Sequence, residues 1–259
     1  MIFINNEEKI SEFKTLDNYY IITDFDRTLT TKDSEPSYGI IPKFLGGECL
    51  EKRTKIYNHY RPIELDYTLE KTEKRKIMRQ WAKESFTLLS KYTTEDIIDK
   101  SLENANIYLR DGAKEFLYDM YKKNIPVVIM SAGIGNLIKR FLEMQNVLYS
   151  NIILVTNFFD FKDGEAYIDI NNVIATSNKT YEKIPVQLRN KLQKIDKCLL
   201  FGDIIEDIEM CNKDNIEKTL TVGFLDKNID ENMKVFNKNY DVVLCNNESF
   251  STIQNVLNN

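Results

Sequence analysis

At 259 residues, 42% of them apolar and 29% charged, the chain is long enough to bury the core of one large domain or of a domain carrying an insertion, which sets aside a disordered tail or a fibrous repeat. Its 35 Lys and Arg against 40 Asp and Glu give a formal charge of -5, so a basic groove for nucleic acid is disfavoured and small substrates are the better expectation. A single histidine, His59, excludes any site built on two or three imidazoles and leaves proton chemistry to carboxylates.

In chain order, Tyr20, Ile21, Ile22 and Thr23 form the first short β-branched run of strand length. From 33 to 110 strand-like runs almost vanish, charge and helix formers dominate, and 70–92 and 94–106 read as helices, so an all-helical insertion is expected. Within it Glu64 stands between Ile63 and Leu65, and Trp81, Ser85 and Leu88 or Leu89 fall on one helical stripe. Read alone, this serine would bond back to a carbonyl one turn earlier and the glutamate would face solvent. From about Asp111 onward, helical segments at 113–122 and 136–144 alternate with apolar runs at 125–130, 152–155, 198–201, 220–224 and 241–244. That alternation is the mark of a parallel sheet with helices on its faces. The expected fold is α/β: a Rossmann-like core of 1–32 and 111–259, with a helical cap domain, 33–110, inserted after the first strand.

Cys49, Cys198, Cys211 and Cys245 are far apart and form no C-x-x-C pair, so neither a zinc ribbon nor a disulfide framework is suggested. No basic segment followed by an apolar run opens the sequence, and no stretch approaches the ~18–20 apolar residues that cross a bilayer. A soluble, cytoplasmic protein is expected, a monomer with neither a membrane nor a nucleic acid as partner.

Chemistry-bearing residues gather at the ends of three of the apolar runs. The first run ends in Asp24-Phe-Asp26-Arg-Thr28, two carboxylates two residues apart, at the strand end where ligands bind in open α/β sheets. One of them could attack while the other handles protons, and a hard divalent cation such as Mg2+ is the natural companion of acids so close. The second, Ile129-Met-Ser131-Ala132-Gly133-Ile-Gly135, ends in a hydroxyl and enters a helix through glycines, which suits an anion on backbone N–H groups. The third, Leu199-Leu-Phe-Gly202-Asp203, is followed one helical turn later by Asp207. Together these read as a magnesium-assisted phosphoryl-transfer site.

The same residues, in this order, resemble the motifs of the haloacid-dehalogenase-like hydrolases: D-x-D-x-T on the first strand, Ser at the end of the second, a lysine, and a Gly-Asp pair. Within that superfamily the chain is similar to the cytosolic pyrimidine 5′-nucleotidase (5′-nucleotidase III) family. The likeness extends over most of the chain, through Ile63-Glu64-Leu65-Asp66, the Trp81 to Leu89 stretch, Ser131-Ala132-Gly133-Ile-Gly135, Thr156-Asn-Phe-Phe-Asp-Phe161, Ser177-Asn-Lys179 and Asp241-Val-Val-Leu244.

What the resemblance implies falls on individual residues. Asp24 matches the nucleophile that forms an aspartyl-phosphate, and Asp26 the acid and base that protonates the departing O5′ and then activates water. Asp24, Asp26 through its backbone carbonyl, and Asp203 match the Mg2+ ligands, with Asp207 and Thr28 in support. Ser131 with the Ala132 and Gly133 backbone, and Lys179, match the phosphate-binding groups. Glu64 and Ser85 match cap positions that meet the base, which replaces the solvent-facing and back-bonded readings above. Asp26 further favours a phosphatase or a mutase over an ATPase or a dehalogenase, neither of which delivers a proton to an alkoxide.

Two departures concern the base. Residues 164–178 lack the Gly-Phe-Lys-Gly and His-x-Phe-Asn-Lys pattern of vertebrate members, and Phe86 stands beside Ser85 where those carry histidine. The expected function is Mg2+-dependent hydrolysis of pyrimidine nucleoside 5′-monophosphates. The alternatives are a phosphatase of the same fold for another small ester, and a phosphometabolite-binding protein without turnover.

Overall fold

The computed structural model describes residues 1–14, 18–64, 66 and 68–258; Leu65, one of the apolar neighbours of Glu64, lies outside them. β1 (Ile2–Ile4) and α1 (Glu7–Lys14) precede the central strand β2 (Tyr19–Thr23), and a tight turn, Phe25–Leu29, leaves its end. Four helices follow: α2 (Ser37–Leu45), α3 (Gly47–Glu64), α4 (Lys71–Ser90) and α5 (Glu95–Glu103). Then come α6 (Ala113–Lys122), β3 (Val127–Ile134), α7 (Gly135–Met144), β4 (Ile152–Asn157) and a hairpin of β5 (Asp160–Lys162) and β6 (Glu165–Tyr167). α8 (Val186–Leu192), β7 (Lys197–Gly202), β8 (Thr219–Leu225), α9 (Ile229–Asn239), β9 (Val242–Cys245) and α10 (Phe250–Asn258) complete the chain.

Among the described residues, seven strands form one sheet in the order β1-β9-β8-β7-β2-β3-β4. Six run parallel, as the alternation of strand and helix implies; β1 departs from the expectation by pairing antiparallel with β9, Ile2 opposite Leu244. A three-residue edge strand is too short to show a period in sequence. From β2 the chain proceeds outward through β3 and β4, then returns to the other side of β2 with β7, so β2 and its two neighbours frame the switch point where such sheets take ligands. Thr23 is level with Ile129 of β3 and Phe201 of β7, which aligns the three strand ends.

Period two sorts the strand side chains into two apolar layers. Ile21, Ile129, Leu199 and Val222 face one layer with Phe116, Leu137, Phe141 and Phe250 of the surrounding helices; Ile22, Val128, Leu200 and Val243 face the other with Leu192, Phe236 and Tyr240. At about 1.5–3 kcal/mol for each fully buried Ile, Leu or Phe, these layers hold the sheet between its helices. Ile40, Ile41, Phe86, Leu89, Ile98 and Leu102 of the inserted helices join the first layer. No helix among the described residues is long and apolar enough to cross a membrane. All four cysteines are free and buried.

The two segments that connect the inserted helices to the core are hydrogen-bonded to each other. Arg110 N donates to Leu29 O at 2.7 Å, Thr31 N to Tyr108 O at 3.0 Å and Glu35 N to Asn106 O at 2.8 Å, with Thr30 opposite Leu109 as an antiparallel bridge.

Candidate active site

Asp24 follows β2 directly, and its N–H continues the parallel pairing to Phe201 O at 3.0 Å, so the carboxylate is fixed to the sheet edge. Lys179 Nζ lies 2.6 Å from Asp24 Oδ1 and 2.5 Å from Asp207 Oδ1. The lysine arrives on a short 3₁₀ turn, Thr176–Asn178, whose Asn178 Oδ1 accepts from Ala175 N at 2.8 Å. Asp207 Oδ2 accepts from the N–H groups of Asp203 at 2.9 Å and Ile204 at 3.2 Å, which ties the turn after β7 around it. Gly202 makes this approach possible, because a Cβ there would come within 2.4 Å of Asp207 Cβ.

One oxygen of each of Asp24, Asp203 and Asp207 lies within 4.8 Å of the others. Burial first, and then the neighbouring Asp207, raise the Asp24 carboxyl against the pull of Lys179, leaving it pushed up to about 7. Asp203 is held well above the carboxylate range by burial and by Asp24 and Asp207. Burial opposes the charge on Lys179, but Asp207 and Asp24 outweigh it and hold the ammonium above its usual range. Three carboxylates share a single ammonium in this largely buried, all-oxygen donor set, and the crowding that raises Asp24 and Asp203 is the repulsion a further cation would relieve. That balance and those hard donors fit a divalent cation such as Mg2+.

Asp26 lies in the turn after β2, beside Arg27, whose φ of 65° bends the chain away from the sheet. Its Oδ1 accepts from Ser37 N at 2.8 Å and its Oδ2 from Ser37 Oγ at 2.7 Å. Burial raises its carboxyl and these two hydrogen bonds act against that rise. Arg110, fully buried, clasps the same turn: Nε donates to Thr28 O at 2.8 Å, Nη2 to Arg27 O, and Nη2 pairs with Asp226 at 2.8 Å. Thr28 itself is buried and its hydroxyl has no hydrogen-bond partner among the described residues.

Ser131 lies within β3, which runs on to Ile134 through an irregularity in its pairing with β4, where the apolar run alone suggested an end at Met130. Gly133 N donates to Ser131 Oγ at 3.0 Å, so this N–H is directed at the hydroxyl. Asn157 donates to the carbonyl of Ala132 at 2.9 Å and binds both backbone groups of Ile174, joining the end of β3 to the segment that leads to Lys179.

The inserted helices reach the site from above. Thr176 Oγ1, on the lysine turn, donates to Glu64 Oε1 at 3.3 Å, and Arg61 pairs with the other Glu64 oxygen. Ser85 is half-buried within α4, and its hydroxyl makes no hydrogen bond with a described residue, so the back-bond to a carbonyl is absent. One turn before it, Trp81 stacks on Tyr60 at 5.8 Å with Tyr57 edge-on at 6.0 Å. Lys71 and Arg75 of α4 pair with Glu209, two residues beyond Asp207. His59 is exposed on α3 against Tyr60. The structure thus gathers Asp24, Asp203, Asp207 and Lys179 into one cluster and joins Glu64 to the lysine turn. Ser37, Arg110 and Asn157 carry supporting contacts that the sequence reading did not assign. A serine after Pro36 and an arginine before Asp111-Gly112 give no signal of such contacts; Asn157 lies in the Thr156 to Phe161 segment, but nothing in the segment states its task.

A family model described as Pyrimidine 5'-nucleotidase (UMPH-1) matches residues 20–259. The 7-methylguanosine phosphate-specific 5'-nucleotidase of Homo sapiens is 30% identical over 252 residues, covering 93% of this chain and 84% of its own. The crystal structure of cytosolic 5'-nucleotidase IIIB bound to cytidine matches with a TM-score of 0.85 at 27% identity, over 99% of this chain and 92% of that one. A phospho-aspartyl intermediate analogue of phosphoserine phosphatase matches with a TM-score of 0.57 at 18% identity, over 92% of this chain and 98% of that one, a likeness of fold.

Proposed function

We propose a reaction for this chain from the premise that it belongs to the pyrimidine 5′-nucleotidase (UMPH-1) family and is a 5′-nucleotidase of haloacid-dehalogenase-like fold. The reaction is Mg2+-dependent hydrolysis of pyrimidine nucleoside 5′-monophosphates through an aspartyl-phosphate. The observation that carries it is the convergence of Asp24, Asp203, Asp207 and Lys179 at aligned strand ends.

An Asp24 oxygen attacks phosphorus as the P–O5′ bond breaks, and the departing oxygen takes the proton of the Asp26 carboxyl. Asp26, now a carboxylate, takes a proton from water as the water oxygen attacks phosphorus; the bond to Asp24 breaks, and phosphate and a free carboxylate result. Lys179 beside Asp24 offsets charge on the attacking acid and the phosphoryl oxygens. Because Gly133 N–H donates into the Ser131 oxygen, the Ser131 hydroxyl hydrogen is free to donate to the phosphoryl group, with the Ala132 backbone beside it. The Asp24 and Asp203 carboxylates and the Asp26 carbonyl would hold Mg2+, supported by Asp207. When bound, the ion neutralises charge on the phosphoryl oxygens and on the acids around them.

Residues 33–110 act as the cap, and Glu64 and Ser85 on its α3 and α4 face the base. A 7-methylguanosine monophosphate is the second reading. It is favoured by the specificity in the human relative's name. The test is phosphate release with Mg2+ from CMP, UMP, 7-methylguanosine monophosphate and a sugar phosphate, repeated on Glu64→Ala. A pyrimidine nucleotide is expected to have the highest kcat/KM, and Glu64→Ala to lose roughly 10-fold of nucleotide preference while sugar phosphate turnover persists. Equal losses on every substrate would make Glu64 structural, and a sugar phosphate as best substrate would overturn the nucleotide reading.

A further inference from the structure

The grip of Ser37 on Asp26 has no task in the cycle above. We propose that Ser37 is a positioning residue that fixes which oxygen of Asp26 carries the transferred proton and serves that oxygen in both its protonation states. The proposal rests on the reading of Asp26 as acid and base.

The two contacts are chemically different. Ser37 N–H meets Oδ1 at 2.8 Å, and an N–H only donates, so Oδ1 remains an acceptor throughout and the proton falls to Oδ2. Ser37 Oγ meets Oδ2 at 2.7 Å, and a hydroxyl donates or accepts. It donates to one lone pair of Oδ2 in the carboxylate, and it can turn its own hydrogen aside when Oδ2 is protonated, so the Oδ2 proton stays directed at the departing oxygen. One fixed donor and one rotating hydroxyl suit a group that alternates between acid and base. Two fixed donors would instead hold Asp26 as a carboxylate and resist its protonation.

The surroundings are built for this contact. Ser37 is the first residue of α2, where an N–H has no partner within the helix, and Pro36 before it sets an extended entry at φ -69°. Ser37 is 1% exposed, so bulk water does not take over the role of a lost hydroxyl. Gly133, near the end of β3, leaves the space the hydroxyl occupies: a Cβ there would lie 1.8 Å from Ser37 Oγ. Asp26 projects from the turn after the central strand, yet its orientation is set by the first residue of the first inserted helix. The insertion thereby enters the chemistry as well as the recognition of the substrate.

Ser37→Ala keeps the N–H and removes the hydroxyl; Ser37→Thr keeps both. On CMP with Mg2+, Ser37→Ala is expected to lower kcat roughly 10- to 100-fold, part of the ~10²–10⁴ that a positioned acid–base group contributes, with KM within about twofold of wild type. Ser37→Thr restores kcat to within about threefold. On p-nitrophenyl phosphate, whose leaving group needs no proton, Ser37→Ala releases about one p-nitrophenolate per site at nearly the wild-type rate and then turns over slowly, because only the second half of the cycle still needs Asp26 as base. Added to Asp26→Asn, Ser37→Ala changes kcat by less than about twofold. Wild-type kcat on CMP for Ser37→Ala overturns the proposal, and so does an initial p-nitrophenolate release slowed as much as CMP turnover, which makes Ser37 merely structural. If Ser37→Ala does not fold, Ser37→Cys, whose thiol donates weakly, reads the same split between the two substrates. Wild-type turnover by Asp26→Asn sinks the acid–base reading itself; a slow Asp26→Asn beside an unimpaired Ser37→Ala sinks only the role of Ser37.

Discussion

The strand-end cluster and the side of the inserted helices that carries Glu64 and Ser85 are built to different tolerances. Asp24 is 5% exposed, Lys179 3% and Asp207 0%, and each is held by the sheet, by a turn or by its neighbours in the cluster. Glu64 and Ser85 are half-buried; Glu64 has a hydrogen bond of 3.3 Å from Thr176 and a pair with Arg61, and the Ser85 hydroxyl has no hydrogen bond among the described residues. The difference separates two demands. Phosphoryl transfer gains from groups fixed before the substrate arrives, whereas accommodating a base needs side chains with room to adjust.

Substitutions can break that contrast, and the largest effect belongs to the cluster. Asp24→Asn is expected to reduce phosphate release more than ~10³-fold on every substrate, since it removes the nucleophile proposed above, while urea unfolding shows a folded protein. Retained turnover would remove the cluster from the chemistry. Gly202→Ala comes next: its Cβ must displace Asp207, at a cost of about 1–3 kcal/mol in unfolding free energy and a parallel loss of turnover. Unchanged stability would mean that the turn after β7 yields more readily than its packing implies. Ser85→Ala should have the smallest effect, about a threefold change in the ratio of CMP to sugar phosphate kcat/KM. A loss as large as that of Asp24→Asn would show that the cap side is fixed as tightly as the cluster.

The elements most legible in sequence were those with a strong period. The helix expected at 113–122 is α6, Ala113–Lys122, because Phe116, Leu117 and Met120 form its buried side. The parallel strands followed from their β-branched runs, each within a few residues of its observed ends. α3 was not delimited, since Cys49 and Tyr60 are its buried residues and so sparse a pair marks no stripe. The β5–β6 hairpin escaped notice because its three-residue strands are largely exposed. In the site, Asp24, Asp26, Ser131 and Asp203 were visible as polar residues at the ends of apolar runs. Lys179 was not: one lysine among many carries no local signature, and the resemblance alone singled it out. Ser37 and Arg110 were invisible for another reason, because their partners lie at Asp26, Arg27 and Thr28 and only the folded chain brings them together.

The hydrogen bonds that join 29–35 to 106–110 let the chain leave the core and return to it at one place. To the sheet, everything between Thr31 and Tyr108 is the tip of a single hairpin, whatever its length. Closing a loop becomes costlier only with the logarithm of its length, about 0.6 kcal/mol per doubling, so the length of the insertion itself costs little, and its weight lies in what Ile40, Ile41, Phe86, Leu89, Ile98 and Leu102 bury against the sheet's apolar layer. The junction therefore fixes where the inserted helices leave and rejoin the sheet, while their packed side chains and Ser37 anchor them to it from above, so the insertion is held at its neck and along its inner face alike.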